Sequence, residues 1–155
     1  MLSASVGLFL ASGAFWVAIG LLLPIARDRG SGDRTLIVSR RSDTALFGDA
    51  PERLMRNDPS LGKLRAILLD VVGGLLVAAG ALEFVVAWFG LREREIWSLA
   101  ALAAVGAGVL PFWWLVLGRY VRAGAPLALS DVPPFMWFPA TLLLPGVVLG
   151  AISLA

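Results

Sequence analysis

A chain of 155 residues that is 59% hydrophobic and 15% charged, with a mean hydropathy of +0.85, is too apolar for a soluble domain and reads as a membrane protein. It holds no Cys and no His, which excludes disulfides, thiolate chemistry, imidazole ligation of zinc or haem and every His-based triad. The formal charge of +2 rests on a few loop arginines and speaks to topology rather than to nucleic-acid binding.

The first apolar run, residues 2–25, lacks a basic leader and has no small-x-small cleavage site before Arg27, so it predicts a transmembrane helix rather than a secretory signal. Ser3, Gly7 and Ala11 fall four apart on one stripe, and Gly13 and Gly20 seven apart on another. Pro24 fits a helix terminus.

Residues 26–58 change character. RDRGSGDR is a polar linker, residues 35–38 are β-prone, and Arg40-Arg41 is basic. The segment is too short for a core of its own. Asp49, Pro51 and Glu52 resemble a helix start, as does Asp58-Pro59-Ser60, with Asp58 as cap and Pro59 at the first helical position. The second helix, 59–91, is expected to begin outside the bilayer, with Lys63 and Arg65 at the headgroups. Its apolar part alone, 67–91, rises about 37 Å against a hydrocarbon core of roughly 30 Å.

Only Arg92-Glu93-Arg94-Glu95 separates this run from the next, which makes the second and third helices antiparallel neighbours and their hairpin the firmest contact in the sequence. The third helix, 96–117, carries Ala100, Ala104 and Gly108 four apart, with Ala103 and Ala107 beside them, a smooth ridge suited to close packing. Pro111 removes a backbone hydrogen bond and predicts a kink. Residues 119–134 read as a loop whose last part, Ser130-Asp131-Val132-Pro133-Pro134, announces the fourth helix, 135–155. That helix contains Pro139, Pro145 and the GxxxG pair Gly146 and Gly150. The expected fold class is all-α: one membrane domain, 1–155, of four transmembrane helices with the second and third in a tight antiparallel hairpin.

Nine basic residues follow the first helix and two follow the third, against two in the tetrad 92–95. The positive-inside rule then places both termini outside the cytoplasm. Trp88 and Trp97 mark the outer interface, and Trp113, Trp114, Tyr120 and Trp137 the inner one. The preference for Arg over Lys, with abundant Ala, Gly, Leu and Val, suggests a bacterial inner membrane.

Glu83 is the foremost candidate for chemistry. Its face of the second helix holds Leu76, Ala79, Gly80, Ala87 and Gly90, a seam of small residues that another helix can approach closely. An acid at that depth serves either as a protonatable site on a proton or ion path, or as a link between helices or subunits. Asp70 lies about 220° around the helix and roughly 20 Å along it, so the two acids cannot share a substrate. Asp70 is expected near Arg27, Arg119 or Arg122, as an interfacial ion pair or as a cation or proton site. Arg119 and Arg122, beside Tyr120, and Arg40 and Arg41 are candidates for an anionic lipid headgroup as well as for simple anchoring. Gly80, Ala104, Gly108, Gly146 and Gly150 are the candidate helix-packing positions.

Walker, GxSxG, HExxH, CxxC and dinucleotide motifs are all missing from the sequence. The function expected is that of a non-catalytic accessory or assembly subunit, with no cofactor and no metal, packing laterally against a larger membrane complex. Its expected partners are the lipid bilayer, other membrane subunits or further copies of itself, and anionic phospholipid, but no nucleic acid. The alternative is a small oligomeric transporter or channel, coupled to protons or ions through Glu83. A lipid-modifying enzyme using Asp70 is a third possibility.

Overall fold

The computed structural model describes residues 1–29, 35–128, 132 and 134–155, with the backbone alone at 26–29 and 134–136. Every regular element among the described residues is a helix: α1 (Leu2–Arg29), α2 (Arg40–Phe47), α3 (Pro51–Asn57), α4 (Pro59–Val85), α5 (Ile96–Gly108), α6 (Leu110–Arg122) and α7 (Pro134–Leu154). Among the described residues four helical stretches are long and apolar enough to cross a membrane: Leu2–Ile25, Pro59–Leu91, Ile96–Arg122 and Trp137–Leu154.

Local chemistry explains the element ends. Asp58 caps α4 by accepting a hydrogen bond from the Ser60 amide at 2.9 Å, with Pro59 in the first turn where no amide is needed. At its far end α4 widens into a π-helical turn, Val86–Leu91, whose looser hydrogen bonding includes the Arg92 amide to the Ala87 carbonyl at 3.2 Å. The third stretch breaks at Val109, because Pro111 has no amide to give the Ala107 carbonyl, and restarts as α6 with Pro111 in its first turn.

Two expectations need correction. The loop expected from residue 119 starts later, since α6 runs on to Arg122. Its end is closed by a Schellman turn at Gly124 (φ 69°), where the Ala125 amide meets the Tyr120 carbonyl and the Gly124 amide the Val121 carbonyl, each at 3.0 Å. Arg119 and Arg122 sit in that last helical turn, where the macrodipole favours cations. The β-prone residues 35–38 form no strand. The amides of Leu36, Ile37 and Val38 turn inward to a single carboxylate, that of Asp43. The expected helix start at Ser130-Asp131-Val132-Pro133-Pro134 and the linker at 30–34 lie largely outside the described residues.

The most extensive helix pairing is α1 with α4, not the second span with the third. A Cβ added at Gly13 would lie 2.8 Å from the Gly80 carbonyl oxygen, and one at Gly20 only 2.5 Å from that of Gly73. The reciprocal contacts are equally close, so the two backbones touch at two points seven residues apart on each helix. Seven residues are two helical turns, about 10 Å, and equal spacing on both partners lets an antiparallel pair meet twice. Val6 and Ala87 continue the spacing and are buried in one cluster with Phe9, Leu91 and Leu102.

Around this pair, α7 lies along α1: the Ser5 hydroxyl donates to the Gly146 carbonyl at 2.6 Å, and the rings of Phe15 and Phe138 meet with centroids 4.6 Å apart at a tilt of 41°. Next comes α5, packed on α7 through Gly106 against Leu143 and Leu99 against Gly150. The circuit then closes on α4 only at the turn after it, where Gly90 abuts Ser98. Beyond that turn α4 and α5 share few contacts. The bundle is therefore tight on three sides and open on the fourth, between α4 and α5–α6. At one end α2 packs on α6 and α3 on α4, bridging the gap.

Candidate functional site

On its open side the bundle encloses a cavity of about 320 Å³. Trp16 of α1, Leu75, Leu76 and Ala79 of α4, Val105, Gly106 and Leu110 of the third stretch, and Leu143 and Leu144 of α7 contribute to its walls. Among the described residues Glu83 is the one titratable group that lines it. Leu75, Leu110 and Leu144 are also largely exposed, so the cavity opens sideways, through the gap left by the sparse contact of α4 with α5–α6.

Glu83 itself is only 5% exposed. Its Oε2 accepts a 3.3 Å hydrogen bond from the Ser12 hydroxyl of α1, while Oε1 is buried with no hydrogen-bond partner among the described residues. The glycine seam makes this possible: Gly13 and Gly80 bring the backbones together one turn away, so a short Ser side chain reaches across. Ser12 lies outside the cavity wall, which Glu83 helps to line. The arrangement can bind one polar group inside an otherwise apolar space.

A second buried acid, Asp43, has a different role. It is fully buried, and its carboxylate accepts from the amides of Leu36 (2.6 Å), Ile37 (3.2 Å) and Val38 (3.3 Å) and from the Tyr120 hydroxyl (2.8 Å). With all these donors satisfied it works as a structural hub, tying the segment before α2 to the end of α6. The Ser42 hydroxyl adds a bond to the Pro126 carbonyl at 2.9 Å, and Ser39 caps α2 through the Ser42 amide. Val38, Tyr120 and Ala125 form a small apolar cluster over the hub.

The structure separates the remaining candidates. Asp70 is exposed on α4, in the same half of the helix as Lys63 and Arg65 and away from the cavity; the side chain of Arg27 is outside the described set. Arg119, Arg122, Arg41 and Arg40 are all exposed, and Arg40 is also paired with Glu52 at 3.0 Å. Of the packing positions, Gly80 meets Gly13, Gly146 meets the ring of Phe9, and Gly150 meets Leu99 and Ser5. Ala104 and Gly108 are both exposed, and nothing among the described residues lies within 4 Å of a Cβ placed on Gly108. The close approach of α5 to α7 falls at Gly106 instead, because that is the face of α5 turned inward.

Ser12 and Asp43 were not legible as site residues. Ser5 and Ser12, hydroxyls seven apart in an apolar helix, were the available signal for the first. For the second it was Asp43 beside the capping pair Ser39 and Ser42. Among the described residues no group of three potential metal-ligating side chains occurs. Comparison with protein-family models, with curated proteins and with solved structures gives no match.

Proposed function

We propose that this protein is a non-catalytic accessory or assembly subunit of the bacterial inner membrane that packs laterally against a larger membrane protein. The observation that carries the reading is the outer face of the α1–α4 pair. Gly7, Ala11, Ala14 and Ala18 on α1, and Gly74, Ala78 and Ala81 on α4, are all exposed, and a Cβ on Gly7 or Gly74 meets nothing within 4 Å. Each stripe contains residues that directly follow the seam positions, about 100° round the helix. Because the helices are antiparallel, those two rotations carry both stripes to one side, opposite α7. The result is a smooth face two helices wide. Within a bilayer such a face favours association, since close packing rather than hydrophobicity drives helices together.

In this reading the second and third spans form an antiparallel hairpin across the membrane with the tetrad 92–95 outside. The arginine-bearing ends of α2, α3 and α6 face the cytoplasm and both termini lie outside, which the distribution of basic residues supports. Leu2 and Leu154 packing on one cluster agrees with termini at the same end of the bundle. The test is mass determination of the protein extracted in a lipid-retaining medium. Stoichiometric recovery with larger membrane subunits is expected, and Ala14→Phe with Ala78→Phe, both on the exposed face, is expected to abolish it. A homogeneous population free of partners refutes the reading.

The buried carboxyl favours a second reading, a small oligomeric transporter or channel coupled to protons or ions through Glu83. Under it Glu83→Gln abolishes flux, whereas under the first it leaves association intact.

A further inference from the structure

We propose that the cavity around Glu83 is a binding site for a small lipophilic amine, a molecule with an apolar body and one protonated nitrogen, entering sideways between α4 and α5–α6. Four observations converge on it. The walls are apolar apart from one carboxyl group, which suits a ligand with a single polar point. That carboxyl is buried, with Ser12 holding one oxygen and the other unpartnered. Among the described residues no Arg or Lys lines the cavity to neutralise it, so the positive charge a carboxylate needs in an apolar space is left for the occupant to bring. Finally, Trp16 offers an aromatic wall near the acid, and aromatic faces attract cations.

The sideways opening sets the route and hence the class. A molecule reaching the cavity past Leu75, Leu110 and Leu144 crosses an apolar rim, so it must partition into lipid before it binds. The volume of about 320 Å³ accommodates a compact body, not a long acyl chain folded on itself. The site lies on the opposite flank of α1–α4 from the small-residue face, so its occupancy and the partner's association are measured independently. It requires no assumption about movement of the ligand across the membrane.

The experiment uses the full-length protein in uncharged phosphatidylcholine nanodiscs, with 1-naphthylmethylamine as probe and 1-ethylnaphthalene as its uncharged counterpart of the same shape. Saturable binding is read by equilibrium dialysis against protein-free nanodiscs. The amine is expected to bind at least about tenfold more tightly than the hydrocarbon, and Glu83→Gln to remove that preference. Ala79→Phe, which keeps the acid and fills the cavity, is expected to weaken the amine by at least about tenfold as well. Amine binding that is not saturable, that equals the hydrocarbon's, or that survives either substitution unchanged overturns the proposal.

Discussion

Two adjacent glycines, Gly73 and Gly74, give the sharpest test of the packing. A Cβ on Gly73 would stand 2.7 Å from the Gly20 carbonyl oxygen and 3.5 Å from the Pro24 Cδ, whereas one on Gly74 meets nothing within 4 Å. Ordinary contact begins at 3.4 Å, so alanine at 73 is 0.7 Å too close to an atom of the opposite backbone. A side chain can turn aside; a helix carbonyl cannot, and the two helices must separate. Overpacking of this kind costs about 1–3 kcal/mol. Replacing a helical glycine by alanine recovers at most about 1 kcal/mol of backbone entropy. Gly73→Ala is therefore expected to destabilise the fold by about 1–2 kcal/mol, and Gly74→Ala to be neutral or stabilising by up to about 1 kcal/mol. Reversible unfolding in mixed micelles, followed by tryptophan fluorescence, measures both. Gly20→Ala strains the same contact, so adding it to Gly73→Ala should cost less than the sum of the two alone. Equal stabilities for Gly73→Ala and Gly74→Ala would refute the close approach of α1 and α4.

Asp43→Ala leaves three amides and a phenol without their acceptor and should loosen residues 35–48 by about 2–4 kcal/mol, while Tyr120→Phe, which removes one donor, should do so by about 1 kcal/mol. Limited proteolysis checks this order, and wild-type resistance in Asp43→Ala would contradict the hub. Hydrogen bonds from the Ser60 hydroxyl and amide hold the Asp58 carboxyl below its ordinary value of 3.8. A depressed folded value means that the cap's support of α4 is complete above 3.8 and is lost as pH falls through the lower folded value. Protection of the amides at the start of α4, taken relative to the intrinsic exchange rate at each pH, should fall over that acid range in the wild type and not in Asp58→Asn, whose side chain caps without titrating.

The four long apolar helices were legible because each is a local property, a run of apolar residues of sufficient length. So were the turn residues that bound them: Asp58-Pro59 and the break at Pro111 follow from one missing amide or one well-placed oxygen. The pairing of helices was not legible in the same way. The Gly13 and Gly20 spacing was visible, and Gly80 stood out on the Glu83 face, but the seam exists only because Gly73 and Gly80 repeat the same interval on another helix. That is a relation between two segments, and it outweighs the short connection at 92–95, which fixes adjacency at one end only. The ridge at Ala100, Ala104 and Gly108 was visible too, but its outward direction was not: small residues permit close packing without saying whether the partner lies inside or outside the chain. Burial of Glu83 beside small residues was readable from the helix wheel. Its contact with Ser12 was not, since the wheel of one helix does not give the register of another.

A seam made of backbone leaves the flanking side chains of both helices available for other work. On one flank Ser5 and Ser12 of α1 and Glu83 of α4 turn into the bundle, where Ser5 bonds the Gly146 carbonyl and Ser12 bonds the acid. On the other flank Gly7, Ala11, Ala14, Ala18, Gly74, Ala78 and Ala81 turn outward with almost no bulk. Had leucines filled the seam, the axes would lie farther apart, and a serine hydroxyl is too short to span the added distance to Glu83. The carboxyl would then be buried with both oxygens unpartnered, a state expensive enough to open the cavity or collapse it. The two glycine pairs thus do more than hold α1 to α4: the Gly13–Gly80 contact sets the distance at which one oxygen of Glu83 is satisfied by Ser12 while the other stays unpartnered among the described residues.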